Sequence, residues 1–406
     1  MMDHQIITLS KGLRVVSARS DGNVAYIGVL TAAGSRDDFA GCDGLSHFVE
    51  HTIFKGTPSR RSWQVSARME SVGGELNAYT TKDEIMLYTN APAGYEDRAF
   101  DLIADLVMNA SFPETEIDLE RGVILEEILS YRDNPSFAVF DEFDEFFFSG
   151  SPLAHNILGY EETVNNITSE RARQFLCSAF APRNMVLYCV SPTDPQRLLR
   201  RVEKFFGTID RTPSLAPRVT PSLLDPFDRT KHLDNHQANT VIGFPIFGRR
   251  DPRCYSLYLL NNILGGPAMN SRLNREMRER RGLVYTVETS ASLYDDTGVF
   301  QIYFGTEPKK VERCTSIALR ELHRLADHRL SERMFCDARR QICGQLLVGG
   351  DNRESCAMSM AKNVMRQGRV IDTPEMADLI MQQTAEQVRQ LAEEILANPY
   401  SRLTLA

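Results

Sequence analysis

The sequence lacks the features that would place it in several large functional classes. None of its eight cysteines (Cys42, Cys177, Cys189, Cys254, Cys314, Cys336, Cys343 and Cys356) stands in a C-x-x-C pair, which argues against a thiolate zinc site or a dithiol redox motif. Most lie in apolar stretches such as Leu187-Tyr188-Cys189-Val190 and read as small buried hydrophobes in the reduced state. There is no basic excess. Lys and Arg total 46 against 54 Asp and Glu, a net charge of -8, which disfavours a general nucleic-acid binder. Apolar runs such as 27–30 and 137–140 fall far short of the roughly 18 to 20 residues of a membrane span. Met1-Met2-Asp3-His4-Gln5 opens no secretory signal. The expectation is a cytoplasmic protein without a membrane or nucleic-acid partner. At 42% hydrophobic and 25% charged residues the usage is ordinary for a globular chain, and 406 residues at roughly 150 per domain suggest two or three domains.

Four prolines, Pro213, Pro217, Pro221 and Pro226, mark residues 212–226 as an extended, solvated connection with little apolar periodicity. The segment beyond this seam resembles the one that opens the chain. Ala25-Tyr26-Ile27-Gly28-Val29-Leu30 runs on to Gly34-Ser35-Arg36-Asp37, and Thr240-Val241-Ile242-Gly243-Phe244-Pro245 runs on to Gly248-Arg249-Arg250-Asp251. Each reads as a buried strand ending in a glycine turn. The pattern predicts strands over 75–80 and 85–90, then helices over 95–109 and 114–131, in the first half. In the second it predicts strands over 285–293 and 299–304, then helices over 310–326 and 332–347. Strands mixed with helices twice over predict an α+β fold of two duplicated α/β halves. The division expected is a first half over 1–211, a linker over 212–231 and a second half over 232–406.

His47-Phe48-Val49-Glu50-His51 carries the strongest chemical signal. On a helix, His47 and His51 stand one turn apart on one face, and Glu50 lies about 60° to one side of His47. Two neutral imidazoles at that spacing suit a tetrahedral zinc ion, and the adjacent carboxylate can reach a water on the metal. The order is H-x-x-E-H, an inversion of the common H-E-x-x-H. A third protein ligand would leave the fourth zinc position open. The predicted helix through Glu120-Arg121-Gly122-Val123-Ile124-Leu125-Glu126-Glu127 supplies candidates. Glu120 and Glu127 share a face, while Glu126 points about 100° away from Glu127. The apolar neighbours Leu119 and Val123 suggest that this face is buried towards the site.

The stretch Gly44-Leu45-Ser46-His47-Phe48-Val49-Glu50-His51-Thr52-Ile53-Phe54-Lys55-Gly56-Thr57 resembles the insulinase/pitrilysin-like zinc peptidases, the inverzincins. It is most similar to their bacterial branch of mitochondrial-processing-peptidase-like proteases. The resemblance implies that Val123-Ile124-Leu125-Glu126-Glu127 supplies the third ligand as Glu127, with Glu120 supporting the site without binding metal. It implies that Gly73-Gly74-Glu75-Leu76-Asn77-Ala78-Tyr79-Thr80 is the strand along which a peptide lies, Asn77 and Ala78 contacting it. In the polar segment 273–285, which by itself reads as a charged helix stopped at Gly282, it implies that Arg278 and Tyr285 bond the scissile carbonyl and stabilise its oxyanion. Leu264-Gly265-Gly266-Pro267-Ala268-Met269 resembles the family's glycine-rich loop, from whose third glycine Pro267 and Ala268 depart.

Aligning the halves sets Asn262-Ile263-Leu264-Gly265-Gly266 opposite 47–51, Ala338 opposite Glu120 and Gln345 opposite Glu127, so no metal ligand survives in the second half. The resemblance further implies two halves facing each other as a clamshell around a chamber, one Zn2+ per chain, and peptide or unfolded-polypeptide substrates. It implies assembly as a homodimer or with an inactive homologous partner. The expected function is a zinc metalloendopeptidase with Glu50 as general base. A catalytically silent partner subunit and a zinc hydrolase of non-peptide substrates are the rivals.

Overall fold

The structure, a computed structural model, describes residues 3–222, 225–233 and 236–406, so residues 223 and 224 of the expected linker lie outside the described residues. The first unit is built on a six-stranded sheet of β1 (His4–Thr8), β2 (Arg14–Arg19), β3 (Val24–Thr31), β4 (Glu75–Thr80), β5 (Ile85–Pro92) and β6 (Met185–Ser191), in the order β1-β2-β6-β3-β5-β4. The second is built on five strands, β7 (Asp228–Lys231), β8 (Ala238–Ile246), β9 (Val284–Leu293), β10 (Gly298–Thr306) and β11 (Ser401–Leu405), in the order β9-β10-β8-β11-β7. With β1 set aside, the orders superpose strand for strand. Each sheet also holds one parallel pair, β2 with β6 and β11 with β7, among antiparallel neighbours. The duplication expected from motif order is therefore present in the hydrogen-bond topology.

Helices repeat in the same way. α1 (Leu45–Thr52), α2 (Glu114–Arg132) and α3 (Pro135–Phe147) succeed one another in the first half of the sequence, and α4 (Cys254–Gly265), α5 (Glu332–Gly349) and α6 (Arg353–Gln367) take the same places in the second. No helix among the described residues is long and apolar enough to cross a membrane.

The compact units are not continuous in sequence. One comprises Met1–Leu129, His155–Arg218 and Gly349–Asp372, the other Ser130–Ala154, Val219–Val348 and Thr373–Ala406. A division by chain position alone would leave α3 and α6 with the wrong sheets. The reason lies in the strands. Every residue of β6 is buried, and a strand apolar on both sides needs a cover on both faces of its sheet. In the first unit, Val16, Leu30, Met86, Val186 and Tyr188 are covered by Ala357, Met360, Ala361 and Val364 of α6. In the second, Val241, Val299, Leu403 and Leu405 are covered by Ala138, Val139 and Phe143 of α3. Gly243 makes room for this packing: a Cβ there would collide with Cζ of Phe143. Polar contacts hold α6 as well. Lys362 and Arg366 reach Glu84 at 2.8 and 2.9 Å, and Arg14 donates to the carbonyls of Val364 and Met365 at the helix's C-terminal end.

The proline-rich seam forms neither helix nor strand over 212–222 and none of these residues is buried, as expected of a solvated connection, but side chains tie it to the first unit. Arg211 donates to the carbonyls of Val107 and Met108, the Ser214 hydroxyl meets that of Ser178 at 2.6 Å, and Arg218 pairs with Asp37 at 2.6 Å.

Phe143 is fully buried and Phe137, on the same helix, is 56% exposed. Phe143→Ala should lower stability by about 3 to 5 kcal/mol, the range for a buried phenylalanine. Phe137→Ala should stay within about 0.5 kcal/mol of the parent. Urea unfolding monitored by fluorescence and circular dichroism measures both.

Candidate metal centre

Helix α1 begins where the backbone leaves it little choice. Gly44 has φ 93°, a left-handed conformation, and a Cβ there would stand 2.5 Å from the carbonyl oxygen of Leu158. A Cβ at Gly159 would collide with the carbonyl oxygen of Asp43, so the two loops pass backbone to backbone. Gly44 offers no side chain to cap the helix. The carboxylate of Asp38 supplies the missing acceptor, taking the N–H groups of Gly44 at 2.7 Å and Ser46 at 2.8 Å. Burial raises the Asp38 pKa well above the carboxylate range, against the lowering by these two donors. Leu45, Phe48 and Val49 then fill the core, which aims the remaining face, with His47, Glu50 and His51, out of it.

Helix α2 carries the third group. Its buried residues are Ile117, Ile124 and Ile128, and Arg121 locks it in place by donating to the carbonyls of Val164 and Ile167 while its guanidinium lies over the Phe48 ring of α1. Leu119 and Val123 are 67% and 52% exposed, which corrects the expectation that they carry the acidic face into the interior. The isoleucine stripe does the anchoring, and Glu120 and Glu127 face α1 from beside it. Glu126 is exposed.

Nε2 of His47 stands 3.8 Å and Nε2 of His51 3.5 Å from one carboxylate oxygen of Glu127. One ligand atom from each of the three residues lies within 4.8 Å of the others. Bonds of about 2.0 to 2.2 Å to a tetrahedral zinc put ligand atoms roughly 3.3 to 3.6 Å apart, so the donor set fits that ion with a small contraction. The protonation states fit too. Burial, with His51 adding to it, lowers the His47 pKa to about 3, so its imidazole is neutral and ready to coordinate. His51 turns Nδ1 towards Glu120 at 3.1 Å, and Lys55 meets the other oxygen of Glu120. With the proton held at Nδ1, Nε2 presents its lone pair to the cluster. Lys55 was given no role by sequence reasoning, although it lies in the resembling stretch four residues after His51. Its partner Glu120 is distant in sequence, which hides the pair.

Glu50 is half-buried on the same helix face. Burial raises its pKa, Thr80 and His51 oppose the rise, and Glu127 adds to it. Strand β4, packed beside α1, is the edge of the first sheet and pairs only with β5 among the described residues. Asn77 on it is exposed and Ala78 half-buried, with Leu76 and Ala78 packed against the core.

The structure thus brings His47, Glu50, His51, Glu120 and Glu127 together in the first unit. Arg278 and Tyr285 belong to the second, where both are exposed and neither side chain has a hydrogen-bond or ion-pair partner among the described residues. The charged helix expected there is a short π-helix, Asn274–Glu279, and Gly282, at φ 55°, ends the turn after it. Tyr285 sits at an irregularity of register between Val284 and Thr286, which turns its ring outward to 87% exposure.

In the metal-free protein His47 contributes a loss of stability as pH falls. Above about pH 6.5 His47 is neutral in both folded and unfolded chains. Below it the unfolded chain takes up a proton that the folded one refuses until about pH 3, so stability is present above the unfolded pKa and lost beneath it. Between pH 7.5 and pH 5 this amounts to about 2 kcal/mol. Denaturant unfolding at the two pH values should show that loss as the difference between the parent and His47→Phe, since Asp38 and Glu50, whose pKa values burial raises, gain stability over the same interval.

A family model described as insulinase (peptidase family M16) matches residues 14–161, and one described as the peptidase M16 inactive domain matches residues 166–342. An uncharacterized zinc protease of Streptomyces coelicolor is 31% identical over 96% of this chain and 86% of its own length, and one of Bacillus subtilis is 28% identical over 97% and 96%. Among solved structures, a protease from Helicobacter pylori superposes with a TM-score of 0.91 at 20% identity over the whole of both chains. A peptidase M16 inactive domain from Pseudomonas fluorescens gives 0.91 at 19% identity, over 100% of this chain and 98% of that one.

Proposed function

The chain belongs to the insulinase family, peptidase family M16, and from that footing we propose that it is a zinc-dependent endopeptidase acting on peptides or unfolded polypeptides, with Glu50 as its general base. The observation that carries this reading is the convergence of His47, His51 and Glu127 with Glu50 on the same helix face. His47, His51 and Glu127 would hold a zinc ion, which would supply Lewis acidity to activate a water and polarise a carbonyl.

The chain's own residues account for the remaining steps. Glu50 removes the proton of the attacking water and returns it to the leaving amine. Its raised pKa suits a carboxylate that must both take and release a proton. Glu120, itself met by Lys55, keeps the His51 ring in one tautomer and one orientation. The outer edge of β4 suits an extended peptide, which adds there as one more strand through main-chain hydrogen bonds, next to exposed Asn77. Such bonds are indifferent to side chains, so cleavage sites should be varied. Arg278 and Tyr285 serve, in this reading, as donors to the scissile carbonyl. The match of residues 166–342 to an inactive domain agrees with a second half that keeps no metal ligand.

Glu50→Gln should retain one zinc per chain by elemental analysis and lose turnover of a peptide library by a factor of about a hundred to ten thousand. Glu127→Ala should release the metal. Full turnover by Glu50→Gln would remove Glu50 from its role, and a zinc-loaded parent protein that cleaves nothing would favour the silent-subunit alternative.

Tyr285→Phe should keep zinc and fold while kcat drops on the order of a hundredfold. Wild-type rates from both Tyr285→Phe and Arg278→Ala would overturn their assignment.

A further inference from the structure

On the sheet face that α3 covers, the second unit carries a recess of about 610 Å³, within the range of small-molecule sites. Its place follows from how α3 packs. The helix lies on β8 and β11, and the sheet continues past β8 through β10 to its edge at β9. The recess occupies the ground between the first turns of α3 and that edge. Phe137 and Phe140 line it from the helix, and Tyr285, Glu288 and Tyr303 line it from the strands.

The wall is aromatic and carries one charge that the chain leaves unbalanced. Tyr303 is buried, and its hydroxyl donates to Asn239 at 2.9 Å, which uses its polar end and leaves the ring. Phe137 and Tyr285 are exposed, so their rings are open to contact. Glu288 is exposed too, and its carboxylate has no hydrogen-bond or ion-pair partner among the described residues. No lysine or arginine stands among the described residues of the wall. The face of an aromatic ring is the negative end of its quadrupole, so rings and carboxylate favour the same sign of guest. That guest is a cation.

Shape narrows the choice. The rings of Phe140 and Tyr303 have centroids 5.1 Å apart and are inclined at 42°, and the four aromatic residues stand on three different elements. Inclined rings make a cup and not a slot. A planar guanidinium stacks flat on a ring face, whereas an alkylated ammonium is rounded and can touch several inclined faces at once. We propose that this recess binds a small alkylated ammonium ion, with Phe137, Phe140, Tyr285 and Tyr303 around its alkyl groups and Glu288 as its counter-ion. The assignment is independent of the peptidase reading.

The test uses the full-length, zinc-loaded protein and ligand-observed NMR titration with choline, with its uncharged isostere 3,3-dimethylbutan-1-ol, and with agmatine as a guanidinium of similar size. Saturable choline binding at one site per chain is expected, with the isostere and agmatine each weaker by about tenfold or more. Glu288→Gln and Phe137→Ala should each weaken choline binding about threefold or more. Glu162→Gln, an exposed carboxylate of the first unit, should leave it unchanged. Both recess variants alter exposed side chains, so loss of fold does not confuse the result. Absence of choline binding at tens of millimolar would overturn the proposal. So would binding that both recess variants retain, equal binding of the uncharged isostere, or tighter binding of agmatine.

Discussion

The carboxylate of Asp38 takes the N–H groups of Gly44 and Ser46, and on this contact depends where α1 starts and therefore where its imidazoles point. An α-helix advances about 100° per residue, so a start displaced by one residue would swing His47 and His51 away from Glu127. The glycine pair Gly44 and Gly159 permits the close passage that brings the capping loop into position. From the other side, Arg121 holds α2 against Phe48 and the Val164 and Ile167 carbonyls, one residue from Glu120. Neither Asp38 nor Arg121 lies in the metal cluster, yet both fix its geometry. Second-layer contacts of this kind are what keep three donors at metal spacing despite their tendency to relax towards water or each other.

Much of this was legible in the sequence because it is local. The 47–51 spacing fixes one helical face, and the strands at 75–80 and 285–293 and the helices at 114–131 and 332–347 emerge within a residue or two of the spans their patterns predict. The choice between Glu120 and Glu127 required more than periodicity, since both lie on one face. The structure separates them by what each touches: Nδ1 of His51 for Glu120, both Nε2 atoms for Glu127. What periodicity could not convey is which core an amphipathic helix enters. The phenylalanines of 137–148 announce burial but not destination, and so the placement of α3 and α6 on sheets from the opposite side of the seam had no local signature. Leu119 and Val123 mislead for a related reason, since an apolar residue on a helix need not be a buried one.

The two units show how one backbone arrangement can hold opposite chemistries. Strand order, the single parallel pair and the helix succession are shared. In the first unit, α1 and α2 bring two imidazoles and a carboxylate together. In the second, Asn262 of α4 and Ala338 of α5 line a recess that also holds arginines and carboxylates. Side-chain replacement on a conserved scaffold suffices for the change, as expected when a sheet and its covers carry the stability and the loops and helix faces carry the function.

The placement of α6 has a consequence for synthesis. The apolar face formed by Val16, Leu30, Met86, Val186 and Tyr188 is complete once Ser191 has been translated, but the helix that covers it ends at Gln367. At about 5 to 20 residues per second, the interval is on the order of ten to thirty seconds. Throughout that time the nascent first unit carries a naked hydrophobic sheet face beside the ribosome. The chain therefore needs either a chaperone to shield that face or a delay in its collapse until nearly the last tenth of the polypeptide has emerged.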